Sequence, residues 1–265
     1  MNKIKSLIFD MDGVLWKDEN PLVDLKRVFE SIKDHNINYA FATNNSTKTP
    51  EEYHQKLSNF GIPNMPNQII TSSIVVLAQM LKKFPNGGPV FIIGENGLVK
   101  PLLQAGFYHN EESVVAIVGG MDRQVNYDKF KKAILFLQKD VEFFFTNSDT
   151  TFPTPLGKIP GAGSILRTLE VGSGRNAIIA GKPKPAMFEK ALEYLNSFPE
   201  NTLVIGDRLE TDILGGLNAH CYTALVLTGI SKKSEINEKN IHPHLIHNNL
   251  EELIKFLVKN QWTIN

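Results

Sequence analysis

Short apolar runs, each closed by a polar or glycine-containing corner, recur along the chain. They are Ser6–Phe9, Tyr39–Ala42, Val90–Ile93, Val114–Val118, Glu142–Phe145, Ala177–Ala180, Leu203–Ile205 and Ala224–Leu227. Their hydrophobicity is continuous rather than alternating, the pattern of parallel strands covered on both faces. Between them the apolar positions fall at helical spacing. Phe130, Ala133, Ile134 and Leu137 share one helical face behind a candidate N-cap at Asn126. Phe188, Ala191, Leu192 and Leu195 repeat the spacing, with Pro185 suited to a first turn. Leu250, Leu253, Ile254, Leu257 and Val258 do so again after Asn249. Strands alternating with helices predict an α/β fold with a mainly parallel sheet.

Two breaker clusters interrupt this alternation, Phe84–Pro89 and Val171–Asn176. The stretch between them carries its own strands and helices. Residues 1–84 and 178–265 are therefore expected to form one core domain, with 85–177 inserted into it as a smaller α/β domain.

The 265 residues include 28 Lys+Arg and 28 Asp+Glu, so no global field favours nucleic acid or an anionic membrane. The single cysteine, Cys221, cannot form an intramolecular disulfide or a cysteine metal cluster. The start of the sequence has a very short apolar run followed at once by acidic residues, unlike a signal peptide or a membrane span. The expected location is cytoplasmic.

In open parallel sheets, ligands bind beyond the carboxyl ends of the strands, so the corners carry the chemistry. The first offers Asp10 and Asp12, two apart and able to face one site, with Gly13 permitting a sharp exit. The second offers Thr43-Asn44-Asn45-Ser46-Thr47, hydroxyls and amides suited to phosphate oxygens. Gly181-Lys182-Pro183-Lys184 supplies a cation, and Gly206-Asp207-Arg208-Leu209-Glu210-Thr211-Asp212 two more carboxylates. Hard oxygen ligands, a lysine and a hydroxyl form a coherent set for phosphoryl transfer with magnesium. A carboxylate nucleophile would give an aspartyl-phosphate.

These corners resemble, in order, the four motifs of the haloacid dehalogenase superfamily of phosphatases: Asp10-Met11-Asp12-Gly13-Val14-Leu15, Thr43, Lys182, and Gly206-Asp207 through Asp212. Ala42-Thr43-Asn44-Asn45-Ser46, Thr146-Asn147-Ser148-Asp149 and Pro160-Gly161-Ala162-Gly163 are similar to the nitrophenylphosphatase/NagD-like branch. The resemblance implies a Rossmann-like three-layer core and a large cap inserted between the second and third motifs. It implies Asp10 as nucleophile and Asp12 as general acid/base, with Thr43, the Asn44 backbone and Lys182 on the phosphoryl group. Mg²⁺ would be held by Asp10, the Asp12 backbone carbonyl and Asp207, with Asp212 outside the direct ligands. Asn147, Asp149 and the Gly161-Ala162-Gly163 loop are candidates for substrate contacts from the cap. The implied partner is a small phosphorylated metabolite, and caps of this branch can mediate homodimers. A phosphotransferase with an alcohol acceptor and a non-catalytic sensor of phosphorylated ligands are the alternative functions.

Other conspicuous residues read as structural. Trp16 and Trp262 are expected to pack, Cys221 to be a half-buried thiol, and His242, His244 and His247 to lie in a solvated loop.

Overall fold

A computed structural model describes residues 2–154 and 156–264. The chain divides into two compact units. One takes the chain up to Thr43, then Glu51–Ile70, then the chain from Lys182 onward; the other takes Asn44–Pro50 and Thr71–Gly181.

The first unit is built on a six-stranded sheet. Its order is Leu245–His247, Tyr222–Val226, Thr202–Gly206, Ser6–Phe9, Asn38–Thr43, Ile69–Thr71. The four pairings from Leu245–His247 across to Asn38–Thr43 are parallel. Thr202–Gly206 and Ser6–Phe9 lie in the middle and are buried throughout, which explains their unbroken hydrophobicity. Leu7, Phe9, Phe41, Leu203 and Ile205 pack with two helices, Leu25–Asp34 and Leu250–Lys259. Those helices bury Leu25, Val28, Phe29 and Ile32 and Leu250, Leu253, Ile254 and Leu257, one apolar stripe each. Asp24 and Asn249 cap them by accepting the backbone N–H three residues on. A further helix, Ala186–Leu195, packs on the Asn38–Thr43 and Ser6–Phe9 strands through its own buried stripe. The result is a Rossmann-like α/β unit.

The second unit has its own five-stranded sheet, ordered Ile178–Ile179, Glu142–Phe145, Ala116–Gly119, Gly88–Ile93, Phe107–His109, with all four pairings parallel. Phe91, Ile117, Phe143 and Phe145 pack against the buried faces of the helices Tyr127–Leu137 and Ala162–Ser173. Asn126 caps the first of these, as its sequence position predicts.

The division differs from the expected 85–177 insertion at both ends. Helix Ser72–Lys83 packs on helix Asn96–Gln104 and on strand Glu142–Phe145, so it belongs to the second unit. Ile178–Ile179 pairs with Phe144–Phe145 as the edge of the second sheet rather than joining the first. The breaker clusters mark helix ends inside the second unit instead of its borders. Phe84 ends helix Ser72–Lys83, and Gly174, at φ 70°, ends helix Ala162–Ser173 in the left-handed conformation that favours glycine.

The histidine segment also departs from the loop reading. His242 is exposed, but Leu245–His247 is a strand paired with Ala224–Val226, and His244 Nδ1 accepts from the Thr223 N–H at 3.1 Å. These short edge strands carry mixed polarity, so no apolar run announces them. No helix among the described residues is long and apolar enough to cross a membrane.

Cys221 immediately precedes strand Tyr222–Val226 and so lies at the end of the sheet opposite the polar corners. It is more deeply buried than expected, 3% exposed, and burial reinforced by the charge of Glu200 pushes its thiol up to about 12. Since the thiolate is the reactive form, a disulfide reagent at pH 8 should label native Cys221 at least ~100-fold more slowly than the unfolded chain. Comparable rates in native buffer and in denaturant would contradict this burial.

Candidate active site

The parallel pairing of Ser6–Phe9 with Thr202–Gly206 sets Phe9 beside Ile205, so the corners that follow, Asp10 and Asp207, emerge side by side. The Asp10 N–H continues the ladder by donating to the Ile205 carbonyl at 2.8 Å. Beyond it the chain folds back. The Met11 carbonyl accepts from the N–H groups of Val14, Leu15 and Trp16, and the Gly13 N–H donates to the Trp16 carbonyl at 2.7 Å. Gly13 is required twice over. Its φ is +87°, and a Cβ there would stand 2.5 Å from Asp207 Oδ2. Asp12 emerges exposed from this loop, with Oδ1 accepting the Trp16 indole N–H at 2.8 Å.

Lys182 binds these corners together. Its Nζ, in a side chain 3% exposed, donates to Asp10 Oδ1 at 2.6 Å, Asp212 Oδ1 at 2.6 Å and the Ala42 carbonyl at 3.0 Å. Asp212 sits on a π-helical turn, Leu209–Ile213, and its Oδ2 accepts from the Arg208 N–H at 3.1 Å. Asp207 Oδ2 accepts from the Ile230 N–H at 2.7 Å. Thr43, buried, ends the Asn38–Thr43 strand, next to the carbonyl that receives Lys182.

One lysine thus faces three buried carboxylates. Burial works to depress the Lys182 amine, but Asp10 and then Asp212 outweigh it and hold it above its ordinary range, so it is charged. Among the described residues, Lys182 is the cation whose ion pairs with Asp10 and Asp212 are seen. Burial pushes Asp10 well above the usual carboxylate range against the pull of Lys182, with Asp212 and Asp207 adding to the rise. Asp207 is pushed up to about 7, by burial first and Asp212 second. Ligand oxygens of Asp10, Asp207 and Asp212 lie within 4.8 Å of one another. A hard, oxygen-only, net-negative donor set of this kind fits a divalent cation such as Mg²⁺. Asp212 already spends one oxygen on Lys182 and the other on a backbone N–H, which suits a place outside the direct ligands.

The remaining sequence candidates lie in the second unit and bond to one another. Asn44 Nδ2 donates to Asp149 Oδ2 at 2.9 Å, while Asn147 Nδ2 donates to the Asn44 carbonyl at 2.7 Å. Asn147 Oδ1 accepts from the Asp149 N–H at 3.1 Å. The Gly163 N–H donates to the Asp149 carbonyl, and a Cβ at Gly163 would stand 2.3 Å from the Ser148 carbonyl oxygen. These residues hold the corner after strand Glu142–Phe145 against the Asn44–Pro50 segment.

Three features of the first unit escape the sequence reading. Thr228 and Gly229 follow the Ala224–Leu227 run. Thr228 Oγ1 donates to the Gly13 carbonyl, and a Cβ at Gly229 would stand 1.8 Å from Asp207 Oδ2, so this corner cradles Asp207. A Thr-Gly pair after an apolar run was the available signal. Tyr53 is buried near Asp12 and Asp10, and burial followed by their charges raises its phenol. Trp16 packs as expected but also bonds to Asp12.

Two family models match the sequence on either side of the second unit's centre. The model described as haloacid dehalogenase-like hydrolase covers residues 7–108, and a second, HAD-hydrolase-like, covers residues 179–253. An acid sugar phosphatase of Staphylococcus saprophyticus is 33% identical over 260 residues, 98% of this chain and 100% of that one. The chain belongs to the haloacid dehalogenase-like hydrolases. The 5'-nucleotidase YutF of Bacillus subtilis is 31% identical over 257 residues, 97% of this chain and 100% of that one. The crystal structure of a 4-nitrophenylphosphatase from Thermotoga maritima matches with a TM-score of 0.90 at 32% identity, over 95% of this chain and 97% of that one. The fold and the enzyme class follow: this is a haloacid dehalogenase-like phosphoric monoester hydrolase of the nitrophenylphosphatase/NagD type.

Lys182→Met would leave Asp10 and Asp212 buried without their counter-charge. In chelator its unfolding free energy should fall by about 3–5 kcal/mol in a denaturant titration. A loss below ~1 kcal/mol would mean that the lysine does not hold the cluster together.

Proposed function

We propose that the chain hydrolyses small phosphomonoesters through an aspartyl-phosphate on Asp10, with Mg²⁺ as cofactor. The observation that supports this reading is the buried Asp10–Lys182–Asp212 network beside Asp207, a carboxylate against a fixed cation and next to a hard-oxygen donor set. An Asp10 oxygen forms a bond to phosphorus as the ester P–O bond breaks in line, and the Asp12 carboxyl gives its proton to the departing alkoxide. Water then attacks the aspartyl-phosphate while the Asp12 carboxylate takes its proton, releasing phosphate and restoring Asp10. Lys182 and Thr43 bind phosphoryl oxygens and hold the group for attack. Asp10, the Asp12 carbonyl and Asp207 would hold Mg²⁺, and Asp212 would orient Lys182 from outside the direct ligands. When bound, the ion supplies positive charge that offsets the repulsion between carboxylate and phosphate.

The substrate class proposed is a phosphorylated sugar or a nucleoside monophosphate. The named activities of the two curated relatives, sugar phosphatase and nucleotidase, support it. The inserted unit is proposed as the specificity-determining cap.

The test is phosphate release from a panel of sugar phosphates, nucleoside monophosphates and nitrophenyl phosphate, with Mg²⁺ and with chelator. Release should need the metal and disappear in Asp10→Asn. Asp12→Asn should lose on the order of 10²–10⁴-fold on alkyl esters. Metal-independent release, or full activity in Asp10→Asn, would defeat this mechanism.

A further inference from the structure

The loop that presents Asp12 is anchored by a side chain that the phosphoryl-transfer scheme does not use. Trp16 is fully buried, yet its indole Nε1–H reaches out to Asp12 Oδ1 at 2.8 Å, and Asp12 itself is exposed. The indole has no freedom to follow the carboxylate. One side stacks on Phe60, with centroids 5.6 Å apart and planes inclined by 28°. The Lys56 ammonium also sits over the ring, 4.6 Å from its centroid, and is itself tied to the Asp18 carbonyl at 2.8 Å and Glu19 at 3.2 Å. The backbone closes the same loop through the Gly13 N–H to the Trp16 carbonyl. An exposed aspartate ordinarily samples several rotamers; this one is held by a rigid donor at fixed distance.

The chemistry of the donor matters as much as its rigidity. An indole N–H can only donate. It therefore keeps Oδ1 as an acceptor whether Asp12 is ionised or protonated. We infer that Trp16 is a positioning residue for Asp12, its indole N–H fixing Oδ1 and with it the direction in which the carboxyl exchanges its proton. The inference rests on the reading of Asp12 as general acid/base, and it adds which residue aims that acid. General acid catalysis is sensitive to such aim, because the proton must arrive along the line of the breaking bond.

Leaving groups separate this role from simple packing. Nitrophenolate departs without needing a proton, whereas an alkoxide does not, and kcat/KM reports the step in which the ester bond breaks. In Trp16→Phe, which keeps an aromatic ring but loses the N–H together with part of the fused ring, kcat/KM should fall about tenfold or more on the best alkyl phosphate of the panel. On nitrophenyl phosphate it should fall by no more than about two- to threefold. Asp12→Asn, measured alongside, should show the same selectivity more strongly. Phe60→Leu disturbs the stacking but keeps the N–H. It should lower the melting temperature while leaving the ratio of the two kcat/KM values unchanged.

Equal losses on both esters in Trp16→Phe, with Asp12→Asn still selective, would overturn the positioning role and leave the acid in place. The same selective loss in Phe60→Leu would overturn it too, by tracing the effect to packing. An unselective Asp12→Asn would remove the acid reading itself, and the inference with it.

Discussion

Putting three carboxylates and one lysine out of water is the condition under which the rest of the first unit has to fold. Each of these charges is costly to desolvate, and Lys182 can compensate only part of the excess. The fold meets that cost by converging donors on the cluster: the Ile230 N–H on Asp207, the Arg208 N–H on Asp212, and the ammonium shared between Asp10 and Asp212. The members are far apart in sequence, Lys182 standing 172 positions after Asp10 and Asp212 30 positions after Lys182. Only the parallel register of the two central strands places the first and last corners next to each other. The buried hydrophobicity of those strands is therefore part of the site: it fixes the register, and the register sets the carboxylates side by side.

The charge excess also explains the kind of chemistry that suits this cluster. Carboxylates pushed toward protonation by burial and by one another are poor anions on their own. A divalent cation would return them to the ionised form in which one can attack phosphorus and another can ligate. A neutral pocket of the same shape would gain little from a metal, and a pocket with a second lysine would not need one.

Much of this was legible in the sequence because each catalytic-type corner follows an apolar run, and runs buried on both faces are the easiest strands to read. Asp10, Thr43 and Asp207 all appear where strand ends of the first sheet put them. Lys182 was found for a partly mistaken reason, since the run before it is an edge strand of the other sheet. The domain borders were misread because glycine and proline mark any chain reversal. Gly174 ends a helix within the second unit, and nothing in its local sequence distinguishes that from a border. The edge strands Phe107–His109 and Leu245–His247 were missed because an edge is solvated on one side and carries polar residues. Gly229 went unread, and Trp16 was read for its packing alone, for another reason. Their importance lies in what stands opposite them, a carboxylate brought from elsewhere, and a single local window contains no trace of it.

The first and the last of the four chain crossings separate residues that look alike in sequence. Thr43 is the last residue of the first unit before the chain first enters the second, and Lys182 is the first after its final return. In sequence, Thr43-Asn44 looks like one phosphate-binding run. In the structure the pair is split: Thr43 closes a buried strand, while the Asn44 side chain and carbonyl are engaged by Asp149 and Asn147 of the second unit. Asn147, with its amide donated to Asn44 and its carbonyl oxygen accepting the Asp149 N–H, is fully engaged in holding that corner. A polar residue at a strand end is therefore evidence of a site only when its bonding capacity remains directed at the site. Lys182 is bonded within the carboxylate cluster of the first unit and Asn147 within the corner of the second, although their sequence settings look equally suggestive.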